Sequence, residues 1–430
     1  MKKKQATKLA SQLKRVFSEK ALNERGKEVG FCKRERSITP YRLCLGLIEV
    51  MGMSKIESIA DIHRSFNALC DTDVQYKPFH NQLAKRQFPD FMRLICERFL
   101  EHMACEALHF SDKSPFACFE HIALQDGTSF ALKSTLSEYF PGRFTKVSPA
   151  AVELHVTLDL LTEQPSCIML TPDTDSEAQY LPSAETLEKT LVMGDRGYFK
   201  KTYLRDVEKH GGSFIIKGKA NMCPMVITAI SADGKRRTRW ENKSLKDIKA
   251  MLLKTQAMDL DVEWPDKAES ICCRMIVSWN PKTKTYQYLL TNLDRNEFSI
   301  EQILDAYRLR WQIELLFKEW KSYSNLHAFD TRNPYLAEGL IWASLCSAML
   351  KRYCAHMTQK VMQTPISTRK VAMCFHHVMP AIYRSLLHCH RKLIAAVERA
   401  MEYLSKNAKR AHPERDKLSG RAKLGLMPVF

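Results

Sequence analysis

The sequence predicts an α/β fold in its middle and helices at both ends. Between residues 111 and 219, apolar runs of strand length alternate with helical stretches, as in a sheet covered by helices. From 220 to 285 the helices give way to hairpin-like runs. The expected organisation is a basic helical region over 1–110, an α/β core over 111–219 and 286–345, a mostly β insertion over 220–285 and a helical C-terminal region over 346–430.

The elements follow in chain order. "MKKKQATKLASQLKRVF" reads as a basic arm passing into a helix, and residues 1–40 hold 12 Lys/Arg against 4 Glu. Thr39-Pro40 opens an apolar-periodic helix that stops at Gly52. "SKIESIADIHRSFNALC" is a second helix, and "YKPFHNQLAKRQFPDFMRLICERFLEHMA" is a third helical region. Two readings remain open for this part, a helix-turn-helix-like arrangement and a plain helical bundle.

"FACFEHIALQDGTSFAL" is a strand expected to end at Asp126 before the turn former Gly127. "ELHVTLDLL" and "SCIMLTP" are further strands, and "EKTLVMGDRGYF" is an apolar strand ending at Asp195. "FKKTYLRDVEKHGG" is a helix with a glycine stop, followed by the strand "SFIIKGK". In the insertion, Asp233-Gly234 and Asn280-Pro281 mark turns between strands. Ser299 with Gln302 forms a capping box, and Asn333-Pro334 starts another helix.

Composition narrows the class. Lys and Arg number 66 against 48 acids, a net charge of +18, which calls for a polyanion such as nucleic acid. Fourteen cysteines include no CxxC pair, so neither a zinc ribbon nor a thioredoxin-type site is expected. Without a signal-peptide pattern they read as reduced thiols of a cytoplasmic protein. His376–His377 and His388/His390 lack neighbouring ligands at metal-binding spacing. The apolar run "LIWASLCSAML" is too short to span a bilayer, so no membrane partner is expected.

"DAYRLRWQIELLFKEWKS", residues 305–322, is an apolar helical stretch carrying polar residues at unusual places. Relative to Tyr307, residues Arg310, Glu314 and Lys321 fall at about 300°, 340° and 320° on a helical wheel. A stripe of one phenol, two cations and one carboxylate is a solvated face in the plainest reading. The strands supply another. If those ending at Asp126 and Asp195 are parallel neighbours, their ends lie about 4.8 Å apart. Glu314 from the helix could then complete a trio of carboxylates. Such oxygen ligands suit Mg²⁺ or Mn²⁺, and two such ions can hold both oxygens of a phosphodiester displacement.

In this order, "LQDGTSF", "GDRGYF" and the helix resemble an insertion-sequence DDE transposase of the group named for its YREK signature. The signature spacing has no departure: two residues separate Tyr307 from Arg310, three Arg310 from Glu314 and six Glu314 from Lys321. The resemblance covers roughly residues 115–345. It implies an RNase H-like mixed-sheet core interrupted by the β insertion, with 1–110 as the DNA-end-binding domain. It implies that Asp126, Asp195 and Glu314 are catalytic metal ligands for two Mg²⁺, with Mn²⁺ able to substitute. Tyr307, Arg310 and Lys321 would hold the transposon end, above all a phosphate of the uncut strand. An aromatic residue of the insertion would hold a flipped base during hairpin formation; Trp279 is the candidate, with Trp240 and Trp264 as rivals. The implied partners are double-stranded transposon ends, target DNA and a second copy of the chain in the synaptic complex.

Three other readings stay open. A structure-specific nuclease on the same scaffold would cut without joining. A catalytically silent DNA-binding regulator would retain binding alone. A tyrosine recombinase could use His388, Arg391 and Tyr403, and would leave a covalent protein–DNA adduct.

Overall fold

The computed structural model describes every residue except 1, 35, 54–55, 266–269, 327–329 and 413–419, and the side chains of 2–4. Six helices open the chain: α1 (Lys2–Val16), α2 (Glu19–Glu28), α3 (Pro40–Met51), α4 (Ile59–Cys70), α5 (Tyr76–Leu83) and α6 (Phe88–His102). Side-chain caps open three of them, with Ser18 accepting from the Ala21 N–H before α2, Thr39 from the Arg42 N–H before α3 and a Ser58/Asp61 capping box before α4. The first helix is not a free arm. Ala6, Leu9, Ala10, Leu13 and Val16 recur at helical spacing and are all buried, while Lys8, Lys14 and Arg15 are exposed on the outer face.

The sheet begins with β1 (Leu108–Phe110), β2 (His121–Ala131), β3 (Ala151–Asp159), β4 (Gln164–Pro172) and β5 (Thr190–Gly194). After α7 (Lys201–Lys209) come β6 (Ser213–Lys217), β7 (Met225–Ser231) and β8 (Lys243–Ser244). A short α8 (Leu245–Ile248) precedes β9 (Met258–Trp264), β10 (Ile271–Asn280) and β11 (Thr285–Thr291). One mixed sheet of ten strands has the order β4-β3-β2-β5-β6-β11-β10-β9-β7-β8. The pairs β2–β5 and β5–β6 are parallel, and the rest are antiparallel. The strands of residues 220–285 therefore extend the same sheet. The β10–β11 turn is held by Asn280, whose Oδ1 accepts from the Lys282 N–H at 3.0 Å.

The C-terminal half contributes α9 (Ile300–Arg308), α10 (Trp311–Tyr323), α11 (Pro334–Met362), α12 (Thr368–Cys374), α13 (Met379–His388) and α14 (Leu393–Asn407). A last strand, β12 (Leu426–Pro428), returns to pair with β1. The 29-residue α11 is almost wholly buried, a length and apolarity explained by its central position. Among the described residues no helix is long and apolar enough to cross a membrane. One continuous core joins α1–α6, α11, α13 and α14 to one face of the sheet. Phe17 stands edge-on to both Phe99 and Tyr383, linking the two ends of the chain. A second core covers the other sheet face beneath α7 and between the insertion strands.

Two expected elements differ. The strand through Asp126 does not stop there but runs on to Ala131, because Gly127–Ala131 continue to pair with β3. The helix expected through 305–322 is divided at Leu309–Arg310. There the N–H groups of Leu309, Arg310, Gln312 and Ile313 reach back three residues rather than four, so the helix tightens into 3₁₀-type turns. No proline or glycine marks that change.

Candidate functional site

Strand alternation aims the first two carboxylates. Ile122 and Leu124 of β2, and Leu191 and Met193 of β5, all face the helical core. With a side-chain period of two, Asp126 and Asp195 continue those rows on the same face. The register pairs Gln125 with Gly194, so Asp126 and Asp195 are the next residues on adjacent parallel strands. Helices α9 and α10 lie over this point.

Arg310 joins two elements here. Its Nη1 donates to Asp126 Oδ2 at 2.8 Å and its Nη2 donates to Glu314 Oε1. Asp195 pairs instead with Lys217, whose Nζ lies 3.3 Å from Oδ1. The Tyr307 hydroxyl donates to the Gly194 carbonyl at 3.3 Å and lies 3.5 Å from Asp195 Oδ1. Lys321 reaches the Ser129 carbonyl at 2.7 Å. All four residues of the stripe thus point at the seam between β2 and β5. The tightened turn keeps Tyr307 and Arg310 aligned, since residues three apart eclipse in a 3₁₀ turn.

The electrostatics are uneven. Burial pushes the Asp126 carboxyl up to about 6, against the pull of Arg310 and the Gly127 N–H. Burial also acts upward on Asp195, but the Arg196 N–H, Lys217 and Arg310 outweigh it and hold that carboxyl below its usual range. Burial raises the Tyr307 phenol and lowers the Lys321 ammonium. Among the described residues, no three His, Cys, Asp or Glu side chains are grouped at metal-holding spacing. The guanidinium of Arg310 lies between Asp126 and Glu314, so those two carboxylates are matched by a cation of the chain itself.

Lys217 is a member of the site that the sequence reading does not reach. A signal for it exists: it ends "SFIIK", and pairing of Ile216 with Gly194 sets it opposite Asp195. Trp311, which follows Arg310 directly, is 55% exposed. Its exposure follows from its position beside the stripe rather than within the packed face of α10.

A family match now decides the class. The family described as "Transposase DDE domain" matches residues 118–350, the stretch that supplies both strands and the helix of this site. The chain belongs to that family. It is 21% identical to the transposase for insertion sequence element IS231C of Bacillus thuringiensis subsp. berliner, over 94% of this chain and 92% of that one. It is 22% identical to the transposase for insertion sequence element IS1151 of Clostridium perfringens, over 73% of each. A piggyBac transposase synaptic complex with hairpin DNA matches 93% of this chain and 84% of its own, with TM-score 0.46 and 12% identity. DDE-family membership makes this transposase an enzyme that cuts DNA and transfers its strands.

The three tryptophans of the insertion region differ within this transposase. Trp240 and Trp264 are buried in the second core. Trp279 is half-buried on β10, edge-on to Tyr286 at 4.8 Å, with Lys254 Nζ 4.7 Å above its ring. It lies near the β10–β11 turn and not against Asp126, Asp195 or Glu314.

Proposed function

We propose that the chain binds the inverted-repeat ends of its insertion sequence, cleaves them through a hairpin and joins the 3′ ends to target DNA. The observation that supports this reading is the bridge of Arg310 from Asp126 to Glu314, beside Asp195 on the adjacent parallel strand. Their all-oxygen donor set suits Mg²⁺ or Mn²⁺. Bound there, such cations would supply Lewis-acid polarisation of the phosphodiester and an activated attacking oxygen. For Asp126 and Glu314 to serve as ligands, Arg310 must leave them, and a DNA phosphate is the natural acceptor for its fork.

We assign this site to the YREK-signature group and its sheet to an RNase H-like core. Tyr307 and Lys321 then hold the end DNA from the same face, and Trp311 offers an exposed ring on which an unpaired base can stack. Trp279 remains our candidate for the wedge that receives a flipped base. The 1–110 region is read as the end-binding domain. Lys33, Arg34, Arg36, Arg42 and Lys85 line an open groove of about 1210 Å³ there, with Asp73 the acid among its described lining residues. Two copies of the chain, one per end, would form the synaptic complex.

The test is incubation of the purified chain with end duplexes and Mg²⁺. This reading expects end cleavage, hairpin intermediates and joined products. Cleavage without joining would favour a nuclease, and a covalent protein–DNA adduct would favour a tyrosine recombinase.

A further inference from the structure

Helices α4 and α5 are joined by a turn, residues 71–75, that α4 itself holds in place. Asp71 closes α4 in the left-handed region, at φ 49°. Asn67 Oδ1 then accepts from the Thr72 hydroxyl at 3.0 Å and the Val74 N–H at 3.1 Å, while its Nδ2 donates to the Val74 carbonyl at 2.9 Å. These bonds fix the path of the chain into α5. That helix is anchored by Phe79 and Leu83, both fully buried, with the Phe79 ring 5.1 Å from that of Phe66 on α4. Its other face is uncovered. Measured round the helix from Tyr76, Lys77, Asn81, Pro78 and Gln82 fall at about 100°, 140°, 200° and 240°. The first three are exposed and Gln82 is half-buried.

The fold makes no use of the two amides: Asn81 and Gln82 have no side-chain partner among the described residues. Both line the open groove beside α5. The opposite wall comes from the segment between α2 and α3, where "KRER", residues 33–36, sets three cations against one acid. Lys33, Arg34 and Arg36 line the groove and have no acidic partner among the described residues. The other two cations are engaged. Lys85 ties one wall to the other by donating to the Phe31 carbonyl at 3.0 Å, and Arg42 donates to the Ser37 carbonyl at 3.4 Å. Asp73 stands on the α5 side. One wall therefore offers cations and the other offers amides.

The two walls suit different parts of one duplex. Clustered cations position a phosphate backbone without reading its sequence. An amide pairs a donor with an acceptor, the pattern that adenine shows at N7 and N6 on its major-groove edge. A helix is about 10–12 Å across and the major groove about 12 Å wide. A DNA strand seated in the protein groove thus brings the adjoining ridge, α5, into the groove of the duplex. We propose that α5 enters the major groove of the transposon end, where Asn81 and Gln82 read A·T base pairs, while the neighbouring strand lays its phosphates on Lys33, Arg34 and Arg36. The proposal deepens the reading of 1–110 as the end-binding domain and rests on it. In that role α4, the turn and α5 act as a helix-turn-helix, with α5 the reading helix.

The experiment compares the full-length chain with Asn81→Ala and Gln82→Ala, separately and together, and with Lys33→Ala/Arg34→Ala. Each is titrated over a salt series with the end duplex, with end duplexes carrying single A·T to G·C changes, and with a duplex of scrambled order. Thermal unfolding is followed alongside, and the exposed Asn81→Ala change keeps the test valid if the Gln82 variants fold poorly. Wild type should lose about tenfold in affinity at one or more of the changed A·T pairs. The amide variants should bind the intact end about tenfold more weakly, stop responding at those pairs and keep the salt slope. The lysine–arginine variant should weaken binding to every duplex alike and flatten the log–log slope by about 0.9 for each phosphate no longer neutralised. Amide variants that keep the wild-type response at every pair, or that lose affinity equally on end and scrambled duplexes, would overturn the proposal. If the lysine–arginine variant is still weakened in that case, the end-binding reading survives. If it too binds normally, or wild type does not prefer the end to the scrambled duplex, that reading falls as well.

Discussion

Arg310 directs one terminal nitrogen at Asp126 and the other at Glu314, two carboxylates that would otherwise repel. Replacing it with alanine should therefore destabilise the chain without divalent metal, by about 2 kcal/mol, less than for a fully buried pair because both acids are partly solvated. Mn²⁺ should then raise the unfolding temperature more in Arg310→Ala than in wild type. An equal Mn²⁺ response in the two would mean that the guanidinium does not stand where the cation binds. Glu49 provides a pH test away from the site. Burial raises its carboxyl from 4.5 to about 7, with Arg384 opposing. A raised folded-state value means the native chain holds the proton longer than the unfolded one. Stability attributable to Glu49 is thus present below about 4.5 and is lost as pH rises to about 7. Glu49→Gln should be more stable than wild type at pH 8, by about 1–3 kcal/mol, with the advantage vanishing in acid; urea melts at the two pH values check this. At this scale the sequence is informative because its spacing singles out a polar stripe and two strand-borne aspartates that the fold brings to one place. For Lys217 it offers only the end of the strand "SFIIK", and the relation to Asp195 comes through sheet register.

Elements are legible where local chemistry decides them. The Ser299/Gln302 box and the Asn333 cap open α9 and α11 as their side chains require. The helical break at Leu309–Arg310 is not legible, since both residues favour helix and the tightening accompanies side chains drawn down to the sheet. The end of β2 differs from expectation because Gly127 looks like a turn residue. It is instead a place of close approach, where an added Cβ would stand 2.6 Å from Glu153 Oε1. The packing of α11 on α6 rests on a similar approach. A Cβ at Gly339 would lie 2.2 Å from the Phe88 ring, and Phe88 is fully buried. Gly339→Ala gains about 0.5–1 kcal/mol of helix propensity but overpacks the core at about 1–3 kcal/mol. The overpacking should win, and a lower denaturation midpoint with unchanged m-value is the expected result. A midpoint at or above wild type would show that Phe88 can move aside.

The whole molecule is where sequence reading reaches least far. Tyr41 donates to the Leu386 carbonyl at 2.8 Å across 345 residues, and α1 packs into a core shared with α14. Nothing local announces such pairings, because each helix is amphipathic whatever it packs against. Net charge, by contrast, is readable from composition, and the +18 excess agrees with membership of a family of DNA-cutting enzymes. The large sheet brings Asp126 and Asp195 together from 69 residues apart in sequence, and α10 adds Glu314. The most direct test takes Asp126→Asn, Asp195→Asn and Glu314→Gln, each nearly isosteric, in the full chain. Mn²⁺ binding is measured by electron paramagnetic resonance on the end-DNA complex, and cleavage of the same duplex is followed alongside. If the substituted groups hold metal and not phosphate, as proposed, each variant should bind end DNA within about threefold of wild type, yet lose Mn²⁺ occupancy and fall at least about 100-fold in cleavage. Full Mn²⁺ occupancy and near wild-type cleavage in any one of them would remove that residue from the metal site.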